Sequence, residues 1–344
     1  MKGVFLHAPK DLRVEDIQTG KPEAGQVRVK ICAGGICGSD LHYYTQGGFG
    51  AIRIKEPMTL GHEVSGIITE LGEDVTNLAV GDRVSVNPSK PCGKCIYCQE
   101  GHRENCMDMQ FMGSAMRFPH AQGAFRQELI IDAEQAVPCG QDTSYADAAF
   151  AEPLSVALHA ISEAGSLAGK RVMVVGAGTI GCLVILAARW AGALEITASD
   201  ISDYALEVAK KVGADRVVNI REEPDAFQAF TDNKGYFDTA FECSGSAAGF
   251  ESLIPVVRPK GTLVQIGQGG DAKFPISGAV TKELLVRGSF RFDKEFGTAV
   301  ALIKKRAIDL SPLLTGVFQM QEAVLAFETA LDKSKSVKVQ LDLS

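Results

Sequence analysis

The sequence predicts an α/β protein in which a β-rich lobe adjoins a doubly wound parallel sheet of six strands. Three observations carry that prediction. The apolar run Arg171-Val172-Met173-Val174-Val175 reads as a strand buried on both faces, and Gly176-Ala177-Gly178-Thr179-Ile180-Gly181 follows it at once. From about Lys170 onward strand-like and helix-like stretches alternate. Residues 1 to about 90 instead break into short β-branched runs separated by Gly, Pro or Asp.

Taken in order, the lobe begins with strands at Val4-Phe5-Leu6, Leu12-Arg13-Val14, Gln26 to Ile31, Val64 to Thr69 and Arg83 to Val86. On the turns between them lie Cys37-Gly38-Ser39-Asp40-Leu41-His42-Tyr43 and Gly61-His62-Glu63. A thiolate, an imidazole and a carboxylate are ligand types that Zn²⁺ accepts. Each also fits a plain structural role when taken alone, His62 as a satisfied core histidine and Glu63 as a surface acid.

Cys92-Gly93-Lys94-Cys95-Ile96-Tyr97-Cys98 comes next, with Cys106 eight residues on. Four thiolates on one loop can close a tetrahedral shell and leave no open position, which describes a structural zinc site. An iron–sulfur cluster uses similar spacing, but a single set of four ligands beside these other motifs favours zinc. Nine cysteines, four of them crowded into fifteen residues, read as metal ligands in a reducing compartment rather than as a disulfide framework. Phe111 to Val137 reads as a loop followed by a strand, and Tyr145 to Ala164 as a helix interrupted at Glu152-Pro153, where the acid can face a cleft.

The Gly-rich turn opens the second unit. Its first glycine makes the tight turn, the second admits a pyrophosphate to the backbone, and the third lets helix and strand pack closely. A helical pattern runs from Cys182 to Trp190, and a second strand, Leu194 to Ser199, ends at Asp200. Asp200 stands about 20 residues beyond the turn, where a carboxylate accepts hydrogen bonds from an adenosine ribose. It would repel a 2′-phosphate, and Ile201-Ser202-Asp203 supplies no Arg or Lys to receive one, so NAD is expected over NADP. Further strands are expected at Arg216 to Asn219, Phe237 to Glu242, Gly261 to Gly267 and Leu284 to Phe290. Phe296 to Ala307 and Gln321 to Leu331 read as helices, and Val337 to Leu343 as a closing strand that returns to the first lobe.

With 344 residues the chain can bury two cores, and its 46% hydrophobic and 22% charged content is ordinary for a globular enzyme. A net charge of −7 without a basic run argues against nucleic acid or an anionic membrane as partner. No apolar run reaches the about 18 residues of a membrane span, and Met1-Lys2-Gly3 leads into a strand rather than a signal peptide, so a cytoplasmic location is expected.

These motifs, in this order along essentially the whole chain, resemble the zinc-dependent medium-chain alcohol and polyol dehydrogenases. The resemblance implies a GroES-like catalytic domain of residues 1–153 and 292–344, interrupted by a Rossmann domain of residues 154–291, with the site between them. Glu152 stands where alcohol dehydrogenases proper have a second cysteine ligand, which points to the sorbitol dehydrogenase branch. By that match Cys37, His62 and Glu63 would hold a catalytic zinc, with Glu152 binding its water or entering the shell. Ser39 and His42 would relay the proton, and Tyr43 would contact substrate hydroxyls. Ile266, Ser289 and Phe290 would join Gly176, Gly178, Thr179, Ile180, Gly181 and Asp200 around the cofactor.

Within the branch, Phe111 to His120 and Gly288-Ser289-Phe290-Arg291-Phe292 resemble the members that interconvert L-idonate and 5-keto-D-gluconate. A carboxylate-bearing substrate calls for a cation, and Arg117, His120 and Arg291 are the candidates, the last matching by resemblance a substrate-contacting Arg of the sorbitol enzymes. Sorbitol, xylitol or L-threonine-like substrates are the alternative. Zinc-free quinone reductases share the fold but would lack both metal sets, and a non-enzymatic NAD sensor would not need an open metal position with a relay. The sorbitol enzymes carry an Arg five residues after the ribose acid, where this chain has Ala205. A homodimer or homotetramer is implied by the resemblance, with pairing near Leu284 to Phe290.

Overall fold

The computed structural model describes residues 1–344 and contains two sheets that position everything else. The parallel sheet runs in the spatial order Arg216–Asn219, Glu195–Asp200, Arg171–Val175, Phe237–Glu242, Val257–Gln265, Leu285–Gly288. All six expected strands are present, and every pairing among them is parallel. Val175 pairs with Ser199 on one side and with Glu242 on the other. The strand order reverses at Arg171–Val175, so a crevice opens beyond its carboxyl end, just where the Gly-rich turn begins.

The second sheet joins Ala136–Pro138, Arg83–Val86, Glu63–Leu71, Gln26–Gly35, Lys338–Asp342 and Leu314–Gln319, with Glu128–Asp132 also paired to Gln26–Gly35. The chain's last strand therefore does return to the first lobe, antiparallel to Gln26–Gly35, with Gln340 opposite Gly35. Gly35 in turn stands opposite Glu63. A Cβ on Gly35 would lie 2.2 Å from Glu63 Oε2, so only glycine leaves room for that carboxylate to lie across the ladder.

Two expectations are corrected. The Cys37 segment is not a turn: Cys37 caps a helix, Gly38–Gln46, and its backbone N–H donates to Asp40 Oδ2 at 3.0 Å. The interruption in Tyr145 to Ala164 falls at Ala149-Phe150, between helices Tyr145–Ala148 and Ala151–Ala164, so Glu152 and Pro153 occupy a helix's first turn, where proline costs no hydrogen bond. Phe292, Phe296, Ala299 and Leu313 bury in the same cluster as Leu154, Val174 and Val184, and the chain rejoins the other sheet only at Leu314–Gln319.

Helix Ala151–Ala164 carries Glu152 at its start and His159 on its third turn, and packs on helix Glu295–Lys304. There His159 Nδ1 lies 3.3 Å from Glu295 Oε1. Burial alone would raise the Glu295 carboxyl, but His159 and the backbone N–H groups of Asp293 and Glu295 outweigh it and hold the group at about 2 instead of 4.5. An acid whose pKa falls on folding stabilises the fold above its unfolded pKa, and that stability is lost as pH drops toward the folded value. Glu295→Gln should therefore flatten the acid limb of stability between about pH 5 and about pH 3, measured by urea midpoints of variant and native chains. Parallel losses in both would reject the contribution.

Candidate metal and cofactor site

Cys37, His62 and Glu63 come from the cap of helix Gly38–Gln46 and the start of strand Glu63–Leu71, and their ligand atoms lie within 4.8 Å of one another. Asp40 positions them. It is fully buried, its Oδ1 accepts the Gly61 N–H at 3.1 Å, and it stands 3.9 Å from His62 Nδ1. A carboxylate behind a ligating imidazole fixes the ring's orientation and raises its basicity. The place of Asp40 three residues after the capping Cys37 is a local sequence signal for this positioning role.

Lys338 had no such signal. Val337, Val339 and Leu341 mark one face of a strand and leave Lys338 on the side that reads as solvent. In the fold both faces are covered: Lys338 is 2% exposed, and its Nζ donates to Glu63 Oε1 at 2.9 Å, Glu63 Oε2 at 2.6 Å and the Ile36 carbonyl at 3.0 Å. Burial pulls the ammonium down, but Glu63 and Cys37 hold it above its ordinary range.

Glu152 is also buried, but is not among the groups meeting within 4.8 Å. Burial pushes its carboxyl up to about 8, with His62 opposing and Glu63 adding to the rise. Burial and Glu63 likewise push the Cys37 thiol up to about 12. Cys37, Asp40, Glu63 and Glu152 thus crowd acidic groups around one lysine, while His62 Nδ1 is buried without a hydrogen-bond partner. So anionic a donor set in a dry cavity is made for a cation, and its S, N and O donors suit Zn²⁺.

Cys92, Cys95, Cys98 and Cys106 form a second set within 4.8 Å, and all nine cysteines are free. Cys95 Sγ and Cys106 Sγ stand 3.9 Å apart, against about 3.8 Å for two thiolates on one tetrahedral zinc and about 2 Å for a disulfide. Backbone N–H groups of Cys92 and Asp108 point at Cys106 Sγ, at 3.2 and 3.4 Å. The loop can close around a metal.

At the dinucleotide turn, a Cβ on Gly181 would strike the Gly176 carbonyl at 1.8 Å, whereas one on Gly178 would project into open space. The first N–H groups of helix Thr179–Trp190 have no partners inside the helix, so turn and helix together make a cradle for phosphate. Asp200 holds this turn: Oδ2 accepts the Ala177 N–H at 2.7 Å and Oδ1 those of Ile201 and Ser202. Ile266, Ser289 and Phe290 line a cavity of about 620 Å³ farther along the cleft.

A neighbouring cavity of about 330 Å³ is lined by Glu104, Asn105, Phe111, Met116, Arg117 and Arg291, among others. The three candidate cations fare differently. Arg117 is paired with Asp108. His120 is corrected outright: its Nε2 accepts the Lys55 N–H at 2.8 Å and its Nδ1 bonds the Arg117 carbonyl at 2.7 Å, leaving no nitrogen for a substrate. Arg291 forms no ion pair and, unlike His120, spends no nitrogen on a backbone group. Its guanidinium lies between the Phe111 and Phe290 rings, 4.6 and 4.8 Å from their centroids, and touches the Met116 sulfur at 3.1 Å. Tyr43 is buried and its hydroxyl accepts the Ala115 N–H at 3.0 Å, bracing the loop that lines this cavity.

Comparison with known proteins adds to this geometry. A family model described as "Alcohol dehydrogenase GroES-like domain" matches residues 23–141, and one described as "Zinc-binding dehydrogenase" matches residues 179–305. L-idonate 5-dehydrogenase (NAD(P)(+)) of Escherichia coli K12 is 44% identical over 91% of this chain and 90% of its own. Sorbitol dehydrogenase of Bacillus subtilis is 32% identical over 99% and 97%. The crystal structure of the E. coli L-idonate enzyme superposes with a TM-score of 0.95 at 42% identity, covering 99% of this chain and 97% of that one. The 2R,3R-butanediol dehydrogenase of B. subtilis gives 0.89 at 30% identity, covering 99% of both.

The buried ion pair yields a test of the metal set. Lys338→Met should cost the metal-free protein about 3–5 kcal/mol, because Glu63 loses its only cation. Zinc offers the carboxylate another, so urea unfolding with and without zinc should show a larger zinc increment in the variant than in the native chain. Equal increments would remove Glu63 from the ligand set.

Proposed function

The chain belongs to the zinc-binding alcohol dehydrogenase family, and on that footing we propose that it catalyses the NAD-linked interconversion of L-idonate and 5-keto-D-gluconate. The coarser statement needs no proposal: it is a polyol or sugar-acid dehydrogenase. The observation that carries the finer one is Arg291, a half-buried guanidinium at the substrate cavity with no carboxylate of its own. An arginine so placed receives a carboxylate in two parallel hydrogen bonds. A neutral polyol offers it hydroxyl oxygens but no counter-charge. The sorbitol-type reading keeps one support, the Glu104 and Asn105 side chains that also line the cavity and suit hydroxyl groups.

In this reading Cys37, His62 and Glu63 hold a catalytic zinc, and the four-cysteine loop holds a structural one. Bound zinc supplies a Lewis acid toward the substrate oxygen, lowering the hydroxyl's pKa as hydride leaves for the nicotinamide. Glu152, in its dry surroundings, keeps a carboxyl able to hold a proton beside that oxygen. Ser39 and His42 lie three residues apart on helix Gly38–Gln46 and so share a face. Ser39 is half-buried and His42 exposed, which gives the proton a route from the cleft to water. Tyr43 and Arg291 orient the substrate's far end. Asp200 favours NAD over NADP.

NADH oxidation measured with 5-keto-D-gluconate beside fructose tests the substrate. The keto acid should be the better substrate, and Arg291→Met should raise its KM by about 10- to 100-fold, the worth of a charged hydrogen-bonded pair, while sparing fructose. Fructose preferred by the native chain, or equal effects of the variant on both, would return the protein to general polyol chemistry.

A homodimer or homotetramer belongs to the same proposal. Strand Leu285–Gly288 is the sheet's edge, with Leu285 53% and Val286 40% exposed, and Ile276 and Val280 of helix Ile276–Lys282 are exposed beside it. An apolar open edge is a template for pairing with a second copy. Light scattering should find at least a dimer for the native chain and a monomer for Val286→Lys. A native monomer would dismiss the assembly.

A further inference from the structure

An acid ends each of the two strands that flank Arg171–Val175. Asp200 closes Glu195–Asp200 on one side, and Glu242 closes Phe237–Glu242 on the other, level with Val175. The strand order reverses at Arg171–Val175, and a dinucleotide laid across that point puts one half on each side. With Asp200 on the adenosine half, Glu242 stands at the nicotinamide half. The two acids differ in setting. Asp200 is half-buried at the groove, whereas Glu242 is fully buried.

Glu242 is held only by neutral donors. Its Oε1 accepts from the Ser244 N–H at 2.9 Å and from the Ser244 hydroxyl. Its Oε2 accepts from the Gly245 N–H at 2.9 Å and from the Gln265 side-chain amide at 2.7 Å. The Ser244 hydroxyl itself accepts the Ser246 N–H at 3.1 Å, which leaves its proton for the carboxylate. Both oxygens therefore act as acceptors, the pattern of an ionised carboxylate. Helix Ala247–Val256 starts beside them: a Cβ on Gly249, in its first turn, would lie 2.9 Å from Oε1, and the positive end of a helix suits an anion. No lysine, arginine or histidine donates to Glu242, and an anion without a counter-charge is costly in a dry interior.

The charge lies just beneath the cofactor cavity. Gln265, Ile266 and Gly267 line the space of about 620 Å³, and a Cβ on Gly267 would lie 2.7 Å from Glu242 Oε2. The Ile266 and Gly267 N–H groups donate to the Glu242 carbonyl at 2.9 and 3.0 Å. A nicotinamide ring is cationic when oxidised and neutral when reduced. We propose that Glu242 is the buried counter-charge of the oxidised ring, tightening NAD⁺ relative to NADH through the cavity floor at Ile266 and Gly267. Fully buried, it acts by its field rather than by contact. This role rests on the dinucleotide reading but not on the identity of the sugar substrate.

Binding of NAD⁺, NADH and ADP-ribose to the zinc-loaded protein, followed by calorimetry, tests this without turnover. One charge about 10 Å from another, at an effective dielectric constant of about 20, is worth roughly tenfold in affinity. In Glu242→Gln the ratio of the NAD⁺ Kd to the NADH Kd should therefore rise about tenfold. ADP-ribose, which lacks the ring, reports any damage to the groove itself, and such damage weakens all three ligands alike. An unchanged ratio, with or without that common loss, would overturn the proposal. Gln265→Leu decides the matter where Glu242→Gln does not fold. It strips one neutral donor from the carboxylate and leaves its charge less screened, so the ratio should fall below the native value. A ratio that stays or rises in Gln265→Leu would also overturn the proposal. A native chain that binds none of the three ligands would sink the cofactor reading as well, and the native titration reports that before any variant is made.

Discussion

The ion pair between Lys338 and Glu63 is the constraint on which the rest of the molecule depends. The two residues stand 275 positions apart, and both are withdrawn from water. Taking two charges out of water costs several kcal/mol each unless geometry and further hydrogen bonds compensate. Both carboxylate oxygens accept from Lys338, and the Ile36 carbonyl takes another of its protons. The pair forms only if the last strand enters the first lobe beside Gln26–Gly35 and if residue 35 has no side chain to block the carboxylate. Chain return, strand register and metal ligand are one requirement.

That requirement explains how the two units meet. The polypeptide leaves the first lobe through helix Ala151–Ala164, builds the parallel sheet, and must come back with Lys338 in register. The returning segment passes over the Gly-rich turn on its way, so the Thr179 and Ser202 hydroxyls find its carbonyls. Cofactor groove and metal set therefore share a wall. Helix Glu295–Lys304 buries in the same cluster as the parallel sheet and is pinned to Ala151–Ala164, the helix whose first turn presents Glu152.

How much of this was legible in the sequence depends on how local each cause is. The four-cysteine loop was fully legible because all its ligands lie within fifteen residues. The parallel strands were legible because strands covered on both faces carry continuous apolar runs. Cys37, His62 and Glu63 were readable as ligand types, but their meeting is made by the ladder that sets Gly35 against Glu63. Lys338 was illegible: its strand alternates as though one face met water, and only the tertiary fold covers both. The loop around Arg117 and His120 misled for the opposite reason. Their cationic character was plain, while the partners that consume it, Asp108 and two backbone groups, depend on how the loop closes.

The same logic bears on cofactor choice. An acid at position 200, with no basic residue in the next three positions, is a sound local argument against a 2′-phosphate. It presumes, however, that the groove's charge is written next to the Gly-rich turn. Here the returning segment passes beside that turn from more than a hundred residues away, its Lys333 carbonyl held by the hydroxyl of Ser202, two positions past Asp200. Charge balance in the groove is thus a property of the closed chain. The local acid can still set the preference for one dinucleotide, while the returning segment, with Lys338 buried against Glu63, sets the charge where the groove meets the metal set.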